Sequence, residues 1–302
     1  MPLYVGTRKT LLYKGPQYFT LTATTALPGQ TVTIHRMTPA TGKSLEIAWG
    51  DGSTTIVAAG DIANKTHVYA AAGTWGIRVA DARNIVQIEL HDAQLSGVKS
   101  AELRNSAVTS FQCYSLGAAV ASVIDSADMV GWTPTLWQLF LMPAGTYAID
   151  SADMAGWTPT FWYLFSMPAG TYVIDSADMV GWPPTGWRLS SMPAASTTWT
   201  IAANNFAGFT TCTSFLANDN TLNQAQVNAL LWGMYQASVA PRTVAGGTIN
   251  VGGTNAAPSG VYQAAAACPV TVATPGKEVC HELLNDGCAV GFNKWTTVTF
   301  TV

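Results

Sequence analysis

The hexapeptide Ile-Asp-Ser-Ala-Asp-Met occurs three times, starting at Ile124, Ile149 and Ile174, with a constant period of 25 residues. A segment of that length cannot bury its own apolar face. Copies at a fixed period therefore stack on one another and share a core that runs along the stacking axis. The middle of the chain is expected to be a solenoid that presents a surface.

Composition narrows the rest. The chain has 302 residues, 48% hydrophobic and only 10% charged, which describes a folded protein with room for two or three units of ordinary domain size. With 14 Lys and Arg in all, a net charge of -3 and a pI near 5.7, it lacks the basic footprint that nucleic acid requires. Pro, Gly, Asp or Ser breaks every apolar stretch before the ~20 residues a membrane-spanning helix needs, so no span is expected. In the opening Met-Pro-Leu-Tyr-Val-Gly-Thr-Arg-Lys the basic residues follow a short apolar run, so export by the common signal-peptide route is not expected. Of five cysteines, Cys113 and Cys212 stand alone while Cys268, Cys280 and Cys288 crowd together. One disulfide among the last three and three reduced thiols are both open.

From about Tyr18 to Ala80 apolar and polar residues alternate, as at Val32 and Ile34, at Leu45, Ile47 and Trp49, and at Trp75, Ile77 and Val79. This predicts short antiparallel strands. Between them lie a turn built on Asp-Gly, Trp49-Gly-Asp-Gly-Ser53, and then His67-Val-Tyr69 followed by Gly73. This order of motifs resembles the PKD-like, immunoglobulin-type β-sandwich, with Trp75 standing where that family usually has Tyr. The resemblance implies a spacer or adhesive module without catalysis. The expected organisation is a leader or attachment segment over 1–17, the sandwich over 18–82, and a solenoid with a C-terminal cap over 83–302, mainly β with some α.

Beyond Ile85, segments headed by Leu90, Leu103, Ile124, Ile149, Ile174 and Ile201 each carry an apolar residue five positions on, at Leu95, Val108, Met129, Met154, Met179 and Phe206. Trp199-Thr-Ile-Ala-Ala-Asn-Asn-Phe206 fits a leucine-rich-repeat core with Asn204 at the ladder position. The other copies have Ala or Ser there, so the resemblance is to a degenerate leucine-rich repeat. Val227, Leu230, Leu231, Met234 and Tyr235 predict a helix between Leu222 and Val239 with Asn223 as its cap. A second helix is expected near Glu278 to Asn285, and Trp295 to Val302 is expected to close the stack as a terminal strand.

The repeat carries chemistry-bearing residues in columns. Asp125, Asp150 and Asp175 form one, and Asp128, Asp153 and Asp178 another; at a strand spacing of about 4.8 Å, like charges repel unless a cation or backbone N–H groups satisfy them. Trp132, Trp137, Trp157, Trp162, Trp182 and Trp187 form two aromatic columns, which either face a ligand or fill the solenoid's wide side. These six tryptophans and Asp125, Asp150 and Asp175 are the candidate ligand-binding residues. Of the four histidines, scattered over different predicted elements, His67 belongs to the sandwich motif. Cys268, Cys280, His281 and Cys288 lack C-x-x-C spacing, and no metal, cofactor or catalytic residue is assigned.

The architecture resembles surface proteins encoded by bacteriophages and bacteria. The expectation is a non-enzymatic virion structural protein: a fibre, tail-associated or capsid-decorating adhesin, homo-oligomeric, partnering other virion proteins and a host-surface glycan or protein. The alternatives are a bacterial extracellular adhesin or filament subunit, and a carbohydrate-active enzyme that uses the paired aspartates.

Overall fold

The computed structural model describes residues 17–206, 208–239, 242–260, 276–284 and 294–302, without the side chains of Ala203, Asn204 and Val239. Among the described residues the chain is mainly β with two α-helices. The expected leader, apart from Gln17, and two of the clustered cysteines, Cys268 and Cys288, lie outside the described residues.

The N-terminal region is antiparallel. Its strands are β1 (Tyr18–Thr25), β2 (Gln30–Ile34), β3 (Arg36–Pro39), β4 (Leu45–Ala48), β5 (Thr54–Val57), β6 (Lys65–Tyr69) and β7 (Gly73–Ala80). β1 pairs with β7, β7 with β4, β4 with β5, and β2 with β6. Alternation places Phe19, Leu21 and Ala23 of β1 inward against Val32, Ile34, Ile77 and Val79, all buried. The Trp49 indole is buried, donating to Thr55 Oγ1 at 2.9 Å, and the Tyr69 hydroxyl donates to Trp49 O at 2.8 Å. The turn between them needs Gly50: its φ is 93°, and a Cβ there would lie 2.7 Å from Gly76 O.

One later strand, β9 (Leu95–Ser96), still belongs to the antiparallel sheet, pairing with β1. The remainder is a parallel ladder. Its strands are β8 (Ile85–Leu90), β10 (Ser110–Tyr114), β11 (Val123–Asp125), β12 (Leu136–Phe140), β13 (Thr146–Asp150), β14 (Phe161–Phe165), β15 (Thr171–Asp175), β16 (Gly186–Ser190), β17 (Thr197–Thr200), β18 (Ser214–Leu216), β19 (Thr248–Asn250) and β20 (Thr297–Thr299). One sheet runs β20-β19-β18-β16-β14-β12-β10-β8-β3, parallel throughout except that β3 joins β8 antiparallel. A second, parallel sheet runs β11-β13-β15-β17. Each 25-residue copy thus contributes one strand to each sheet, and the core lies between them. Among the described residues no helix is long and apolar enough to cross a membrane.

The ladder corrects the frame read from apolar spacing. Leu90 closes β8 in the larger sheet and so is not in line with Ile124. The preceding copy is Val98-Lys99-Ser100-Ala101-Glu102-Leu103, whose Lys99 bridges Val123. Leu103 therefore holds the place of Met129 and heads no copy. An apolar pair five residues apart occurs on both sides of a coil, so spacing alone cannot choose between them.

The helices lengthen the later coils. α1 (Gln224–Val239) starts at a reciprocal cap: Gln226 N donates to Asn223 Oδ1, and Asn223 N to Gln226 Oε1, both at 3.0 Å. Gln226 Nε2 also donates to Trp199 O at 3.2 Å, against the β17 edge. α2 (Gly276–Leu284) packs on α1.

All six tryptophans of the repeat are buried, so none faces a ligand from the surface. β12, β14, β16 and β18 bring Trp137, Trp162, Trp187 and Phe215 into line, with stacked ring centroids 5.5, 5.9 and 4.6 Å apart. Trp157 and Trp182 meet this stack edge to face at 6.3 and 5.9 Å, which sets positive ring edges against π faces. The physical reason for the inward placement is area, since six solvated indoles exceed the apolar patch a soluble surface tolerates. Trp162 touches rings on both sides, and we expect Trp162→Ala to cost about 3–5 kcal/mol in chemical denaturation. A cost below about 1 kcal/mol would contradict this packing.

Candidate functional site

The repeated polar residues meet in one place, the corner where β11, β13 and β15 each run into a 3-10 turn, Ser126–Met129, Ser151–Met154 and Ser176–Met179. Asp125, Asp150 and Asp175 cap these turns. Their Oδ1 atoms accept from the N–H groups of Ala127, Ala152 and Ala177 at 3.0, 3.0 and 2.8 Å. Backbone N–H groups thus satisfy the first aspartate column.

The repulsion expected along that column is also relieved by register. Asp125 pairs with Ala148 and Asp150 with Val173, while Asp175 pairs with Thr200. The two-residue stagger puts successive aspartate Cα atoms roughly 8 Å apart, against about 4.8 Å for residues in line. The larger sheet has no such offset, Trp137 pairing with Trp162 and Trp162 with Trp187.

Serine, unflagged in the sequence, holds the second column. Ser100, Ser126 and Ser151 are buried, and each hydroxyl donates at 2.6 Å to an aspartate of the next coil, Asp128, Asp153 and Asp178. The same oxygens accept from the N–H groups of Asp125, Asp150 and Asp175 at 2.9, 2.9 and 2.8 Å. Asn205 replaces the aspartate in the last copy and reverses the bond, its Nδ2 donating to Ser176 Oγ at 3.0 Å. Arg104 pairs with Asp128 at the other end. Farther along, buried Asn220 and Asn255 do comparable work: Asn255 Oδ1 accepts from Asn220 N at 2.9 Å and Leu222 N at 3.1 Å.

Beside these turns a groove of about 240 Å³ is lined by Asp125, Ser126, Ala148, Asp150, Asp153 and Val173 among others. Its carboxylates are engaged as described. No group of three His, Cys, Asp or Glu among the described residues is placed to hold a metal ion. Cys113, Cys212 and Cys280 are buried thiols; burial pushes Cys212 and Cys280 up to about 12 and Cys113 higher still.

One cluster has the composition of a catalytic triad without its geometry. His67 Nε2 lies 2.6 Å from Asp51 Oδ2, and Ser53 Oγ donates to Asp51 Oδ1 at 2.6 Å. The serine proton thus goes to the carboxylate, whereas a nucleophile needs the imidazole to take it. The Ser53 hydroxyl and N–H, followed by His67, hold Asp51 down to about 2. With a lowered carboxyl value the stabilisation of this turn is full above the ordinary 3.8 and is lost as pH falls toward 2.

Sequence reasoning passed over an aromatic column on the outer face of the larger sheet. Tyr114, Phe140 and Phe165 stack at 4.4 Å with planes 9° and 11° apart. Arg188 covers Phe165 at 3.5 Å, and His91 covers Tyr114 at 4.7 Å. The alternation in Phe161-Trp-Tyr-Leu-Phe165 was the available signal: Trp162 and Leu164 point in, so Phe165 points out. Because the ring faces are spent on one another, the column offers edges to solvent and no stacking platform for a sugar.

The chain matches no family model, and no curated protein or solved structure is similar to it.

The corner generates a discriminating expectation. Ser151→Ala strands both Asp175 N–H and the Asp178 carboxylate, and should cost about 1–3 kcal/mol of unfolding free energy. Asp150→Asn preserves a cap acceptor and should cost less than about 0.5 kcal/mol. A larger loss from Asp150→Asn than from Ser151→Ala in urea titrations would mean that the carboxylate does something other than cap.

Proposed function

We propose that this chain is a non-enzymatic structural protein of a virion, a fibre, tail-associated or capsid-decorating adhesin. In this reading a PKD-like sandwich carries a leucine-rich-repeat-like solenoid. One observation supports it above the others: the repeated serines and aspartates are consumed in coil-to-coil and capping bonds. Duplication of such a unit lengthens a rigid body and adds no reactive centre. The buried indole stack acts in the same direction, since each added copy extends one continuous core. The low charge leaves shape and outer-face side chains to determine partners, which we take to be other virion proteins and a host-surface glycan or protein, engaged by a homo-oligomer. A bacterial surface adhesin or filament subunit would be built the same way and differs in location.

Location is therefore the test. Gold-labelled antibody raised against the chain should decorate purified phage particles, at tail, fibre or capsid, in electron micrographs. Label confined to cell surfaces would favour the bacterial reading, and label on neither would overturn both. In parallel, the intact protein should release no reducing sugar from any candidate glycan; release abolished by Asp150→Asn with Asp153→Asn would establish the enzymatic alternative.

A further inference from the structure

The antiparallel region and the parallel ladder are joined by a seam in which β3 pairs with β8, Arg36 opposite Glu89, Met37 opposite Ile88 and Thr38 opposite Gln87. Two histidines far apart in sequence close one end of it. His35 sits between β2 and β3, and His91 follows β8. Their rings stack with centroids 3.2 Å apart and planes 23° apart, and His91 stacks in turn on Tyr114. The His35 Nδ1 atom is buried and has no hydrogen-bond partner.

The charged and titratable groups around the pair come from each element packed on it. Arg36 of β3 lies 4.0 Å from Glu89 of β8, and Glu89 lies 3.4 Å from His91 Nε2. Tyr114 of β10 is raised by burial and then by the same Glu89. Asp92, just past β8, accepts from Thr33 N at 2.7 Å. Glu89 is thus shared among a guanidinium, an imidazole and a phenol, and Asp92 accepts from two backbone N–H groups, Thr33 and Gln94. Burial and then His91 hold His35 below its ordinary 6.5, outweighing Glu89 and Asp92.

We propose that the His35–His91 stack is an acid-sensitive latch, closed while at most one ring is protonated and opened along the β3–β8 seam when both carry a proton. Two imidazolium ions face to face at this separation repel, and the seam is where that repulsion finds relief. The sign follows from His35: a histidine lowered in the folded state contributes stability at neutral pH that is lost as pH falls through 6.5 and below. Ladder strands away from the pair, such as β12 and β14, are not expected to respond.

Hydrogen exchange followed by mass spectrometry at pH 7.5 and pH 5.0, corrected for the intrinsic pH dependence of exchange, reads this directly. In the wild-type chain, peptides covering Gln30–Pro39 and Ile85–His91 should lose protection severalfold on acidification, in the direction set by the lowered His35. Peptides covering β12 and β14 should keep theirs. His35→Phe and, separately, His91→Phe retain a ring for the stack but remove the second charge, and each should abolish the loss. If one variant does not fold, the other decides. Unchanged protection in the wild-type chain, or an equal loss in a folded variant, overturns the proposal.

Discussion

The repeat region depends on a register condition: strand n of the larger sheet lies beside strand n+1 with like residues in line. Trp137 then meets Trp162 and Trp162 meets Trp187. A parallel pair slipped by one residue would turn every inward side chain outward, so a core made of indoles tolerates no slip. The opposite sheet is freer. Its small outward residues, Thr146, Ala148 and Val173, accept a two-residue stagger that separates the carboxylates.

The polar groups of the corner solve a second problem created by stacking. Each coil ends a strand and turns sharply into a 3-10 turn, which leaves backbone N–H groups without strand partners. A buried serine from the previous coil accepts one, an aspartate cap accepts another, and the serine's own proton goes to a further aspartate. Three donors are satisfied by three short side chains. The same economy appears with different residues where coils lengthen to admit the helices, at Asn220 and Asn255. Buried polar groups are costly only when unpaired, and here the pairing runs between coils, so the bonds also fix each coil's rotation relative to the next.

Much of this was legible in the sequence. The period announced the stacking, alternation marked the antiparallel strands, and Asn223 with Val227, Leu230 and Leu231 marked α1. Other features were not, for physical reasons. The spacing of Asp125, Asp150 and Asp175 is identical to that of the tryptophans, yet one column is staggered and the other in line, because backbone pairing sets lateral register. Ser126 and Ser151 look like solvent-facing residues beside two aspartates; their burial follows from the sharpness of the turn. The contact between His35 and His91 depends on how β3 docks against β8, a tertiary event with no local signature. The outward column of Phe140 and Phe165, by contrast, was readable from a period of two.

If like stacks on like at a period of 25, the unit can be removed whole. Deleting residues 149–173 joins Ala148 to Ile174 and re-creates the sequence of an intact copy. Circular dichroism and thermal unfolding of this variant should show a folded, cooperatively melting protein with wild-type strand content per residue. Deleting 149–168, which breaks the period, should abolish the fold. Failure of the 25-residue deletion to fold, or equal stability of the two deletions, would contradict the stacked architecture.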